Sequence, residues 1–268
     1  MNNEQFPHAI GAGAQHPELF IRDIFFLNYH INHDKWDWFR YYELADAHRF
    51  EEDFFRYNAA DWTITTTEAG GGAATEALID FVNGVLLVTN DAADNDCDEL
   101  VNSVETFAII RGYPLYFEFR SKVSDGLESN FWAGIIDQNS YFAGQSVNGI
   151  YFLKPDDENN LYFGTSVLGT EVLVDTGIDV SDLDWGRVGF HWDGAGTVRW
   201  FVMDDTQLVV AAGYVTTNIP EGYGTFNPGF GIRNGEAVAK LMYVDYIKCD
   251  MPRIPSAAED LIDENVPQ

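Results

Sequence analysis

Between Trp62 and Ile247 short apolar-rich runs succeed one another with a period of two residues, and each is stopped by Gly, Asn, Asp or Pro. That rhythm leaves few folds open, because alternate residues of an extended strand face opposite sides of a sheet. Trp62–Thr67 is rich in β-branched residues and is broken by Glu68–Ala74, with its three consecutive glycines. Gly84–Thr89 reads as a short buried strand ended by the turn formers of Asn90–Asp98. Leu115–Val123 alternates cleanly, and Phe131–Ile136 follows at hairpin spacing. Gly149–Leu153, Leu161–Thr165 and Glu171–Val174 continue the pattern. Arg187–Trp192 and Val198–Val202 flank the turn-rich Asp193–Thr197, and Leu208–Ala211, Gly229–Ile232 and Ala237–Ile247 complete the series. About a dozen strands with turns about every 8–12 residues, and no long helix, predict an all-β fold: an antiparallel two-sheet jelly-roll sandwich over residues 58–249.

The first 57 residues differ in kind. Residues 1–19 show little periodicity and read as an extended arm, while Phe20–Tyr57 is crowded with aromatics and holds His30, His33 and His48. Glu43–Phe55 admits a helical turn or two, since Leu44, Ala47 and His48 fall at i, i+3, i+4. A segment this short does not build a sufficient core alone. Residues 250–268, with three prolines and five acids, read as a short acidic tail.

Forty-three acids against 15 bases give a net charge of −28. That balance argues against a nucleic-acid partner, which needs a basic patch to neutralise phosphates. It argues equally against an anionic membrane surface. Apolar runs such as Val85–Val88 and Phe107–Ile110 are far too short to span a bilayer. No positive stretch followed by an apolar one opens the chain, so synthesis in the cytoplasm without a secretory leader is expected. Two cysteines, Cys97 and Cys249, do not make a disulfide framework and are expected to be unpaired.

Catalytic constellations are sparse. Glycosidases on this kind of fold carry two acids alternating along one strand, in the usual spacing Glu-x-Asp-x-x-Glu, and that string is absent. Glu51-Glu52-Asp53 is contiguous, so its acids diverge, and Glu118 shares a strand face with Arg120 and Lys122, which reads as a solvated face. No Gly-x-Ser-x-Gly elbow is present, and the mid-strand His191 reads as a packed histidine. The glycine runs lack the Lys and the strand–helix context of a phosphate loop. The reading is therefore a non-enzymatic chain without a cofactor. The acids Asp91, Asp94, Asp96, Asp98 and Glu99 could offer hard oxygen ligands to Ca²⁺, and Asp94, Asp96, Asp98 and Glu99 are weak metal candidates. A charged turn capped by Asn90 and Asn95 explains them equally well. His30-x-x-His33 lacks a third ligand. The block Trp36, Trp38, Phe39, Arg40, Tyr41 and Tyr42 has the residue types of interface centres and of sugar-stacking clefts, and it is the candidate partner-binding segment.

From about Phe50 to Cys249 the chain resembles a family of tailed-bacteriophage virion proteins with a concanavalin A-like, laminin-G-like jelly roll. The resemblance rests on Phe50–Phe54, Trp62–Thr65, Gly84–Asn90, Ala93–Asp96, Phe117–Asp125, Asn148–Phe152, Gly229–Ala237 and Tyr243–Ile247. It implies a structural head component: a decoration (cement) protein on the outer capsid surface, bound to the major capsid protein and self-associating into small oligomers. The net charge fits that exterior position, since packaged DNA would repel it. The alternative is a glycan-binding jelly-roll module of a tail fibre or adhesion protein, with Trp36 and Trp38 or the sandwich loops as stacking platforms.

Overall fold

The computed structural model describes residues 47–81, 84–104, 106–143 and 148–254. The aromatic block Trp36–Tyr42, the pair His30 and His33, and the chain beyond residue 254 lie outside the described residues. Fifteen strands run in chain order: β1 Ala47–Glu52, β2 Trp62–Thr67, β3 Thr75–Ile79, β4 Val85–Thr89, β5 Cys97–Asn102, β6 Leu115–Val123, β7 Ser129–Ile136 and β8 Gly149–Lys154. They continue as β9 Asn160–Val167, β10 Thr170–Asp179, β11 Gly186–Trp192, β12 Val198–Met203, β13 Val209–Val215, β14 Asn227–Asn234 and β15 Leu241–Pro252. Short 3-10 turns at Ala59–Asp61 and Val180–Asp182 are the only helical pieces among the described residues.

The strands form two antiparallel sheets. One has eight strands in the order β13-β12-β11-β6-β15-β4-β3, with β1 also paired to β15. The other has seven, in the order β10-β9-β8-β7-β14-β5-β2. This is the predicted all-β sandwich. Alternation sets what each strand gives to the space between the sheets. From β6 come Leu115, Phe117 and Phe119, from β7 Phe131, Ala133 and Ile135, and from β11 Val188, Phe190 and Trp192. Phe54 and Trp62 close one part of this core against Phe230, with ring centroids 5.5–6.1 Å apart. Each such side chain contributes about 1.5–3 kcal/mol by leaving water. Both cysteines are free and buried.

Three elements differ from the sequence reading. Ala47–Glu52 is a strand rather than a helical turn, because its backbone pairs with β15 from Ala47↔Pro252 to Glu52↔Ile247 and Phe50 packs on the core. Residues 47–57, grouped above with the arm, therefore supply a strand and the fully buried Phe54. Thr75–Ile79 is an unanticipated edge strand. The end of the acidic stretch is not a turn: Cys97–Asn102 is β5, buried throughout, between β14 and β2.

Candidate functional site

The outer face of the seven-stranded sheet is built by the residues that alternate with the core. On β7 these are Trp132 and Ile136, on β8 Tyr151 and Leu153, and on β5 Val101. Glycine is required beneath them. A Cβ on Gly164 would meet the Tyr151 ring at 2.5 Å, one on Gly134 would meet the Tyr151 backbone at the same distance, and one on Gly229 would meet the Trp132 ring at 2.9 Å. The two aromatic side chains therefore lie against a bare backbone floor.

The chain leaving β7 folds back over this floor. Glu99, which points outward from β5, receives the Trp132 indole N–H at 2.8 Å, the Tyr141 N–H at 2.7 Å, the Phe142 N–H at 3.0 Å and the Ser140 hydroxyl. Burial raises the Glu99 pKa in spite of these donors. Four donors on one fully buried carboxylate make it the peg that holds residues 140–142 in place. Asp137 clamps the far side of the same connection, accepting from the Asn148 backbone N–H at 2.8 Å and side-chain N–H at 2.6 Å.

The result is an aromatic platform with polar ends. Tyr141 meets Tyr151 edge-on at 4.9 Å between centroids and Phe142 at 5.7 Å, and it lies 5.8 Å from Trp132. Glu171, exposed on the edge strand β10, accepts the Tyr141 hydroxyl at 2.8 Å and the Tyr151 hydroxyl as well. Burial first, and then the Glu171 charge, hold the Tyr141 phenol far above its ordinary pKa. At the other end the Arg233 guanidinium lies over Phe142, 4.9 Å from the ring centre. Tyr141 and Phe142 are half-buried and keep surface open to solvent. Aromatic ring surface flanked by a carboxylate and a guanidinium can stack a sugar ring and bond its hydroxyls.

Other sequence-singled groups fall elsewhere. Asp94 is exposed, Asp96 accepts the Ala69 N–H, Asp98 faces the interior and Glu99 the outer sheet face, so the four metal candidates are not brought to one point. Asp98, fully buried, faces Glu76 of β3 across the sandwich, and burial, with the nearby Glu76 carboxyl, pushes its pKa up to about 9. Glu128, Asp156 and Asp157 do converge, with ligand oxygens within 4.8 Å of one another, and among the described residues they are the group able to hold a metal ion. Glu118 is not a solvated acid: it is 9% exposed, takes the Tyr116 and Tyr246 hydroxyls and lies 3.5 Å from Arg187. His191 is packed, and its pKa falls to about 4 through burial and the nearby Arg199.

Sequence reasoning missed the platform because its members come from β5, β7, β8, β10, β14 and a connection. The signal available was the repeated glycine beside an aromatic, as in Trp132-Ala133-Gly134 and Gly149-Ile150-Tyr151.

No family model matches the chain, and no curated protein is similar to it in sequence. Solved structures share its fold. Arcelin-5, a lectin-like defence protein from Phaseolus vulgaris, superposes with a TM-score of 0.56 at 11% identity, covering 78% of this chain and 100% of that one. The basic winged bean lectin with Tn-antigen gives 0.54 at 10% identity, covering 76% and 98%. An endo-1,3-β-glucanase from Streptomyces sioyaensis gives 0.50 at 14% identity, covering 79% and 98%. The fold is thus the concanavalin A-like jelly roll of lectins and glucanases, and nothing among these findings points to a phage virion protein. The glucanase also corrects the expectation of a non-enzymatic chain, since the same fold carries glycoside hydrolysis there.

Proposed function

We propose that this chain binds carbohydrate on the outer face of its seven-stranded sheet, with Tyr141 and Phe142 as the stacking surface and Glu171 as a hydroxyl acceptor. The observation that carries the reading is the platform itself: half-open aromatic rings set between an exposed carboxylate and a guanidinium. Lectins among the structures of the same fold support it. Glycan-array screening followed by calorimetry tests it. Saturable binding to at least one saccharide is expected, weakened tenfold or more, about 1.4 kcal/mol, by Tyr141→Ala. Absence of binding across the array, or hits indifferent to Tyr141→Ala and Glu171→Gln, would reject it.

A second reading places the protein on the outside of a phage head, bound to the major capsid protein through Trp36, Trp38, Phe39, Arg40, Tyr41 and Tyr42 as a small oligomer. The net charge of −28 supports an exterior over an interior position. Cosedimentation with purified heads tests it, comparing the intact chain with one that begins at residue 47 and so keeps β1. Equal binding by both, or none by either, removes the proposed role of that segment.

A further inference from the structure

The platform also carries a feature that bears on which sugars it takes. Acids outnumber bases 43 to 15 in this chain, so a cation finds a carboxylate easily. Eight of the described lysines and arginines are ion-paired, and the buried Lys154 donates to two backbone carbonyls. Of the described arginines without a carboxylate partner, Arg56 and Arg253 are exposed, and Arg233 alone is half-buried. Arg233 is also held in place: its backbone pairs with Cys97 on one side and Asn130 on the other, and its guanidinium rests on Phe142.

A guanidinium stacked on a ring keeps its in-plane N–H fork free, which is the geometry that receives a carboxylate through two parallel bonds. Among the described residues no carboxylate is paired with it. Glu99 is consumed by its four donors, and burial pushes the Cys97 thiol up and keeps it neutral.

We infer that the platform selects carboxylate-bearing sugars, uronic or sialic acids, with Arg233 as the residue that binds the acid group. The inference rests on the carbohydrate reading of the same surface. The overall negative charge does not forbid it, because the Debye length at physiological salt is about 8 Å and distant acids are screened.

The test uses the full chain at 150 mM NaCl, titrated with hexuronic-acid oligosaccharides, with sialyllactose, and with each ligand after reduction of its carboxyl group to a hydroxymethyl. One acidic ligand or the other is expected to bind at least tenfold more tightly than its reduced counterpart. Arg233→Gln should erase that preference, and Arg233→Lys should restore only part of it, with thermal melts confirming that both variants fold. If acidic and reduced ligands bind alike, and Arg233→Gln changes neither while Tyr141→Ala weakens both, the acid selectivity is wrong and the carbohydrate site stands. If no saccharide of either kind binds, while the array gives no hit, both fall together.

Discussion

Asp98 and Glu99 are neighbours in the chain, and the strand pleat sends them to opposite sides of one sheet. Each consequence can be measured. Asp98 shares the interior with Glu76, with Glu68 and Glu99 adding repulsion and the Tyr57 phenol close by. Its folded pKa of about 9 stands above the ordinary 3.8 of an aspartate. The folded state therefore holds a proton that the unfolded chain releases, and stability is lost as pH rises from about 4 towards 9. The slope from this group approaches about 1.4 kcal/mol per pH unit within that window. Asp98→Asn, which keeps the shape without the charge, should flatten thermal stability between pH 5 and 9 and leave the variant more stable than the parent at pH 8.5. A parent curve as flat as the variant's would contradict the pairing. His191 works in the opposite sense, since its folded pKa of about 4 lies below the ordinary 6.5 of an imidazole and stability is lost as pH falls through that interval. NMR titration should find its imidazole neutral until about pH 4.

At the scale of elements, the strands that sequence reading recovered either alternate apolar with polar residues, such as Leu115–Val123, or are apolar almost throughout, such as Phe131–Ile136. β5 escaped because it carries the acids Asp98 and Glu99 into buried positions, so its polarity gives no sign of its burial. β3 escaped because it is a short edge strand, and β1 because its reason for being extended lies far along the chain, in β15 (Arg49 is ion-paired with Asp250, 201 residues on). The platform was illegible for a related reason: a peg and its four donors from separate elements leave no spacing to read. Glu99→Ala should strand those donors and destabilise the fold by roughly 3 kcal/mol or more in urea titrations, with faster amide exchange at Tyr141 and Phe142. Glycines separate by the same logic. Gly134→Ala would drive a Cβ to 2.3 Å from the Ile150 carbonyl oxygen, whereas Gly71→Ala meets nothing within 4 Å. The first should unfold the protein at temperatures where the second is indistinguishable from the parent.

For the whole molecule, a charge of −28 opposes compaction. Raising NaCl from 10 to 150 mM should lift the melting temperature by roughly 2–4 °C, the shift that accompanies about 1 kcal/mol in a chain of this size. An unchanged melting temperature would mean the charges are dispersed enough to ignore. The sheets themselves hold a constraint of another kind. β14 lies between β7 and β5, and β15 lies between β6 and the pair β4 and β1. Both sheets are thus joined down the middle by the last two strands to be synthesised. Until residues 227–252 leave the ribosome, the seven-stranded sheet exists only as two unjoined parts and the eight-stranded sheet as three, β1 among them unpaired, with bare hydrogen-bonding edges. Nascent chains stopped short of Asn227 should be held by chaperones or aggregate through those edges, and the intact chain should fold slowly and late, in one step.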